Sequence, residues 1–151
     1  MKNLLNQSDR EALIARLEGL QPGARRRWGT MDARQVVPHM TDPLRVAIGD
    51  REAEPMQGLF GKPVISTLAV WWMPWPQGAP TAEAFIQGKG GTPPVEFERD
   101  KQALLLAIHR FANHPENATF LPNPVFGRLS RRSWGRLMWR HIDHHLRQFG
   151  V

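Results

Sequence analysis

Six histidines carry most of the chemistry available to this 151-residue chain: His39, His109, His114, His141, His144 and His145. Three of them crowd into the segment WRHIDHHLRQFG at 139–150. His141 and His145 stand in His-x-x-x-His spacing, which on a helix puts two imidazoles one turn apart on the same side. Take His141 as zero on a helical wheel. Trp134, Met138 and Phe149 then fall between roughly 20° and 80°, His145 at about 40° and His144 at about −60°. Arg132, Arg136, Asp143 and Arg147 fall opposite. The pair therefore sits on a core-facing stripe, where unpartnered imidazoles are costly to bury.

A divalent ion would satisfy both nitrogens at once. Core histidines bonded to carbonyl groups, or a stripe that faces solvent at a helix end, are the other readings of the same pair. Position 142 is Ile, so this is not the His-Glu-x-x-His pattern of metallopeptidases, and no carboxylate base adjoins the two rings. A catalytic metal site needs a third protein ligand and an open position. His39, beside the apolar stripe of an earlier helix, is the best candidate. His109 and His114 read as surface or helix-end residues. Asp42, Asp143 and Gln148 are candidates for contacts behind the ligands, although the wheel turns Asp143 away.

Four helical segments must position these side chains. The first runs from Ser8 to Leu20, with Ser8 and Glu11 as a capping box and Pro22–Gly23 as a stop. The second runs from Asp32 to Gly49 behind Thr30 as N-cap. Its stripe of Val36, Val37, Met40, Leu44, Ala47 and Ile48 is interrupted by Pro38 and Pro43, so a kink or a later start is expected. The third spans Val95–Asn113 and the fourth Arg131–Phe149, the latter with Ser130 as N-cap and Gly150 beyond its end. A long connection, 50–94, rich in Pro and Gly, carries the apolar run VISTLAVWWMPWP. Its length suits a capping or functional insertion, with a short helix or a buried strand near Val64–Trp72. Four helices and one insertion read as an all-α bundle in a single domain, 1–151.

One His in ARQVVPHM, with His-x-x-x-His and then x-x-Gln late in the last helix, resembles the DinB/YfiT-like superfamily of metalloenzymes. The strings PWPQGAPT, the HP after the third helix and FGRLSRRSWGRLMWRHIDHHLRQFG are similar to an uncharacterised branch of it, a domain of unknown function. The resemblance implies a DinB-like four-helix bundle in up-down-down-up order, crossed by the long second connection. It also implies a three-His divalent metal centre near one end, with His39, His141 and His145 as ligands and His144 as a non-ligating neighbour. Relatives of this kind include transferases and isomerases that use thiols such as mycothiol or bacillithiol, and metal-dependent hydrolases. They are often homodimers.

Composition narrows the classes. There is no Cys, which excludes disulfides, zinc–thiolate sites and a cysteine nucleophile, so any thiol chemistry must use an external thiol. Three neutral imidazoles would leave Zn²⁺ or Ni²⁺ its full charge, and imidazole suits both ions. The formal charge is +6, with 20 basic residues of which 4 are Lys. The Arg residues are dispersed, without a helix-turn-helix signature or a basic stripe, and nucleic acid is not expected as a partner. QGKGGT has neither P-loop nor dinucleotide spacing. The apolar run is too short for a membrane span and no apolar leader opens the chain, so a cytoplasmic protein acting on a small molecule is expected. A non-catalytic metal-binding or stress-related module is the alternative.

Overall fold

Ser130 opens the last helix as its sequence suggests. In the computed structural model, which describes residues 1–55, 58–78 and 81–151, its side chain accepts from the backbone N–H of Ser133 and α5 spans Arg131–Gln148. The other helices are α1 (Gln7–Glu18), α2 (Ala33–Ala47), α3 (Pro63–Trp71) and α4 (Phe97–Ala112). Short 3-10 turns occupy Leu59–Gly61 and Glu83–Phe85. Among the described residues there are five helices and no strand, and the fold is all-α. Parts of two strings singled out above, the insertion 50–94 and PWPQGAPT, lie outside the described residues at positions 56–57 and 79–80.

Two expected caps move. The oxygen at the start of α1 belongs to Asn6, which accepts from Asp9 N–H, and not to Ser8. At α2 it belongs to Asp32, which forms a complete capping box with Gln35, and not to Thr30. Ser8 and Thr30 have suitable side chains, but an equally good oxygen lies two residues away in each case, and cap propensity does not rank them.

α2 runs through Pro38 and Pro43 as one helix. Each proline costs about 3 kcal/mol in a helix interior. Every residue from Val36 to Leu44 is buried, and full burial of a large apolar side chain is worth about 1.5–3 kcal/mol. A helix buried on all sides can carry that cost. α2 packs against both α4 and α5 and against the Glu83–Phe85 turn, while α1 and α3 pack on α5. The shared core joins Leu13 and Leu17 of α1, Val36, Met40 and Leu44 of α2, Ile108 and Phe111 of α4, and Trp134, Met138 and Ile142 of α5.

The insertion forms the short helix α3, resolving the helix-or-strand ambiguity of its apolar run. Pro63 at the first helical position suits a helix start. At the other end the Arg140 guanidinium donates to the carbonyls of Ala69, Val70 and Met73, as a cation at a helix C-terminus should. The later part of the insertion is anchored by Asp42, which is wholly buried. Its carboxylate accepts from Thr92 N–H (2.9 Å) and Thr92 Oγ1 (2.6 Å), and pairs with Arg51 at 2.5 Å.

Candidate metal centre

The middle of α2 and the last turns of α5 bring three histidines to one point. The ring centroids of His39, His141 and His145 lie 4.8–4.9 Å apart in every pairing, with interplanar angles of 76–85°. One ring nitrogen from each lies within 4.8 Å of the other two. His39 Nε2 and His141 Nε2 are 3.0 Å apart. Three nitrogens each about 2.0–2.1 Å from one tetrahedral zinc ion would be about 3.3 Å from one another. The rings therefore need only small adjustments to share an ion. All 102 residues of sequence separation between His39 and His141 are closed by the packing of α2 on α5.

The outer nitrogens fix two of the tautomers. His39 Nδ1 lies 3.1 Å from the carbonyl oxygen of Phe85, which can only accept, so Nδ1 carries the proton and Nε2 presents its lone pair inward. His145 Nδ1 is 2.8 Å from Gln148 Oε1, with the same consequence. Such outer contacts orient metal-ligating imidazoles. Gln148 does more: its Nε2 donates to the carbonyl of Trp28, and its backbone carbonyl accepts from Arg27 N–H. One side chain thus ties a ligand to the loop before α2. His141 has no such partner among the described residues. Its Nδ1 is buried and unbonded. Without a cation, His141 must place its proton on Nε2, between itself and the His39 lone pair, and orphan Nδ1. This is an uncomfortable state for a buried ring, and a donor set of facing lone pairs fits a cation.

Burial keeps the cluster neutral. His39 is 5% exposed and His145 9%. Loss of solvent lowers the pKa of His39, an effect only partly offset by the Phe85 carbonyl and Asp42. Burial pushes His145 down to about 3, helped by His39. His141 is pushed well below its ordinary value by burial and by the two other imidazoles. Neutral imidazoles are the form that binds a metal.

Around the cluster stand aromatic groups. Trp75 lies 6.2 Å from both His141 and His144, and Trp28 5.9 Å from His144. Arg140, the residue before His141, stacks over Trp75 at 5.0 Å while it caps α3. The Trp71–Trp75 segment therefore walls the cluster through Trp75 alone; Trp72 points outward and is exposed. His144 touches His145 edge-on at 5.2 Å and stays outside the trio.

The remaining candidates divide. Gln148 contacts a cluster histidine. Asp42 does not: it serves Arg51 and Thr92. Asp143 pairs with Arg16 and Arg147, away from the cluster, as the wheel indicates. His109 is exposed, and His114 stacks on Phe120. Phe85 was not foreseen, because a backbone carbonyl has no signature in sequence. Gln148, named from the sequence, stands three residues after His145 and meets its Nδ1.

The family model described as "Protein of unknown function (DUF1569)" matches residues 1–150. No curated protein and no solved structure matches the chain.

Proposed function

The chain belongs to the DUF1569 family, and from that membership and the geometry of the His cluster we propose a metal-dependent enzyme with His39, His141 and His145 as the ligands of one divalent ion. The observation that carries this reading is the convergence of three neutral imidazoles, two of them held by outer hydrogen bonds with their Nε2 lone pairs turned inward. The all-nitrogen set suits Zn²⁺ or Ni²⁺. Such an ion, held by neutral ligands, acidifies a water or thiol at its open position and polarises an electrophile. The protein's own residues supply the rest. Phe85 and Gln148 orient rings, while Trp75 stands against His141 and His144 and Trp28 against His144. With no Cys in the chain, the nucleophile is a water or an external low-molecular-weight thiol such as mycothiol or bacillithiol, which makes the reaction a hydrolysis or an S-transfer. The four long helices around one core, with a long insertion between α2 and α4, support a DinB-like bundle as the architecture of this site.

Elemental analysis of untagged protein, dialysed against zinc or nickel and then against buffer, tests the centre. One ion per chain is expected for the wild type and none for His145→Ala. A wild type that retains no metal under any loading would overturn the reading. Turnover of chromogenic esters, and of an electrophile with several thiols, tests catalysis in the loaded protein. Silence with every pair would leave a metal-binding module.

A further inference from the structure

α3 is apolar on both sides, and one side has no partner among the described residues. Ser66, Ala69 and Val70 are buried against α5. On the other side Val64, Leu68 and Trp72 recur at i, i+4 and i+8, so they form one exposed stripe. Val64 is 73% exposed and Trp72 62%. Leu59 and Phe60 extend the stripe before the helix and Met73 after it, all exposed. Contiguous bare apolar surface of this kind marks an interaction face.

Charge says what covers it. Between Glu54 and Glu83 the only charged residue is Lys62. From residue 117 to 142, the stretch that leads into α5 and forms most of it, there are five Arg and no acid. Phe60 meets Phe126 at 6.1 Å, two residues before Arg128 in the chain, and the Arg132 guanidinium lies 5.2 Å over the Trp71 ring. Lys62, Arg128 and Arg132 are exposed and without an ion-pair partner among the described residues. An apolar, Trp-bearing stripe with Lys62 at one end and Arg132 over Trp71 is complementary to an anionic, apolar surface. A second copy of this chain is a poor match, because symmetric pairing would bring two sets of unpaired cations together. An acidic helix is also a poor match, since it needs a groove, while α3 packs chiefly on α5 among the helices and presents a ridge.

We propose that this face of α3 docks the protein on an anionic lipid surface, lying in the interface and not crossing it. No helix among the described residues is long and apolar enough to cross a membrane. The ridge geometry suits shallow insertion of Val64, Leu68 and Trp72 between headgroups, with Lys62, Arg128 and Arg132 on the phosphates. This inference is independent of the metal centre.

Vesicle co-sedimentation tests it, using phosphatidylcholine alone and phosphatidylcholine with one part in three phosphatidylglycerol. The wild type is expected to pellet with the anionic vesicles, with a blue shift of tryptophan emission, and to lose binding as salt rises to about 1 M and the screening length falls to about 3 Å. The double variant Val64→Asp/Leu68→Asp changes exposed positions only, so its folding can be verified by circular dichroism. Its partition onto anionic vesicles should fall at least about tenfold, because two apolar groups are lost from the interface and two like charges meet the lipid. Binding that is absent, or unchanged in the double variant, would overturn the proposal. So would a concentration-dependent dimer, without lipid, that the double variant dissociates. A one-to-one complex with an acidic amphipathic helical peptide in the absence of vesicle binding would do the same.

Discussion

His145 and Gln148 show how much of the centre rests on single atoms. Gln148 Oε1 holds the His145 Nδ1 proton and Nε2 holds the Trp28 carbonyl. Gln148→Leu removes both. Loss of an outer contact of this kind typically weakens metal affinity by about 10–100-fold, and a zinc competition titration should show it. Gln148→Glu keeps an acceptor for His145 Nδ1 but loses the donor to the Trp28 carbonyl, so it should retain more affinity than Gln148→Leu while losing the tie to the loop. The same burial makes the metal-free protein acid-sensitive. In the folded state the three imidazoles lie below their ordinary 6.5, His145 at about 3. As the pH falls below 6.5 the unfolded chain takes up protons that the folded chain refuses. Stability is thus complete above that value and is lost toward 3. His145, with its folded value at about 3, removes about 1.4 kcal/mol per pH unit in this window, and His39 and His141 add to the loss in the same direction. Urea midpoints of metal-free protein at pH 7.5 and 5.5 should differ accordingly, and equal midpoints would mean the rings are solvated. Saturating metal opposes the loss, adding about 2.7 kcal/mol at a free concentration one hundred times Kd.

At the scale of elements, the insertion is a working part of the site. The Glu83–Phe85 turn supplies the carbonyl that orients His39, and the buried Asp42–Thr92–Arg51 cluster pins the chain that carries this turn. Asp42→Ala would leave the Arg51 guanidinium, itself mostly buried, without its carboxylate. Removing one partner of a buried pair costs about 3–5 kcal/mol. Both the thermal midpoint and the zinc affinity should fall, because the Phe85 carbonyl is no longer held; a drop in stability with affinity intact would detach the insertion from the centre. Helix starts are a smaller effect. Asp32→Ala removes a capping box and should cost about 1 kcal/mol by denaturant unfolding.

For the whole molecule, α5 is the element on which α1, α2 and α3 all pack. Its Gly135 lets the N-terminal segment approach: Leu4 N–H donates to the Gly135 carbonyl at 3.0 Å, and an added Cβ would meet Asn3 Oδ1 at 2.1 Å and Leu5 Cγ at 2.8 Å. Gly135→Ala therefore gains helix propensity yet should destabilise by about 1–3 kcal/mol through overpacking, measurable as a lower unfolding midpoint with metal stoichiometry unchanged. Trp134, fully buried, donates its indole N–H to the Leu121 carbonyl and fills the centre of the core.

The helical class, the start of α5 and the shared face of His141 and His145 were legible in the order of residues, since each depends on spacing within a few turns of one helix. Cap choice at α1 and α2 was not, because competing oxygens two residues apart have similar propensity. His39 shows the deeper limit. It looks like an edge residue on its own helix, but α2 is enclosed on every side, and burial by other elements is a property no local pattern encodes. The position of Phe85 behind His39, the placing of Trp75 by Arg140 and the meeting of rings 102 residues apart arise from how α2, α5 and the insertion pack. Packing is set by the sum of many weak, distant contacts, and that sum exists only in the folded chain.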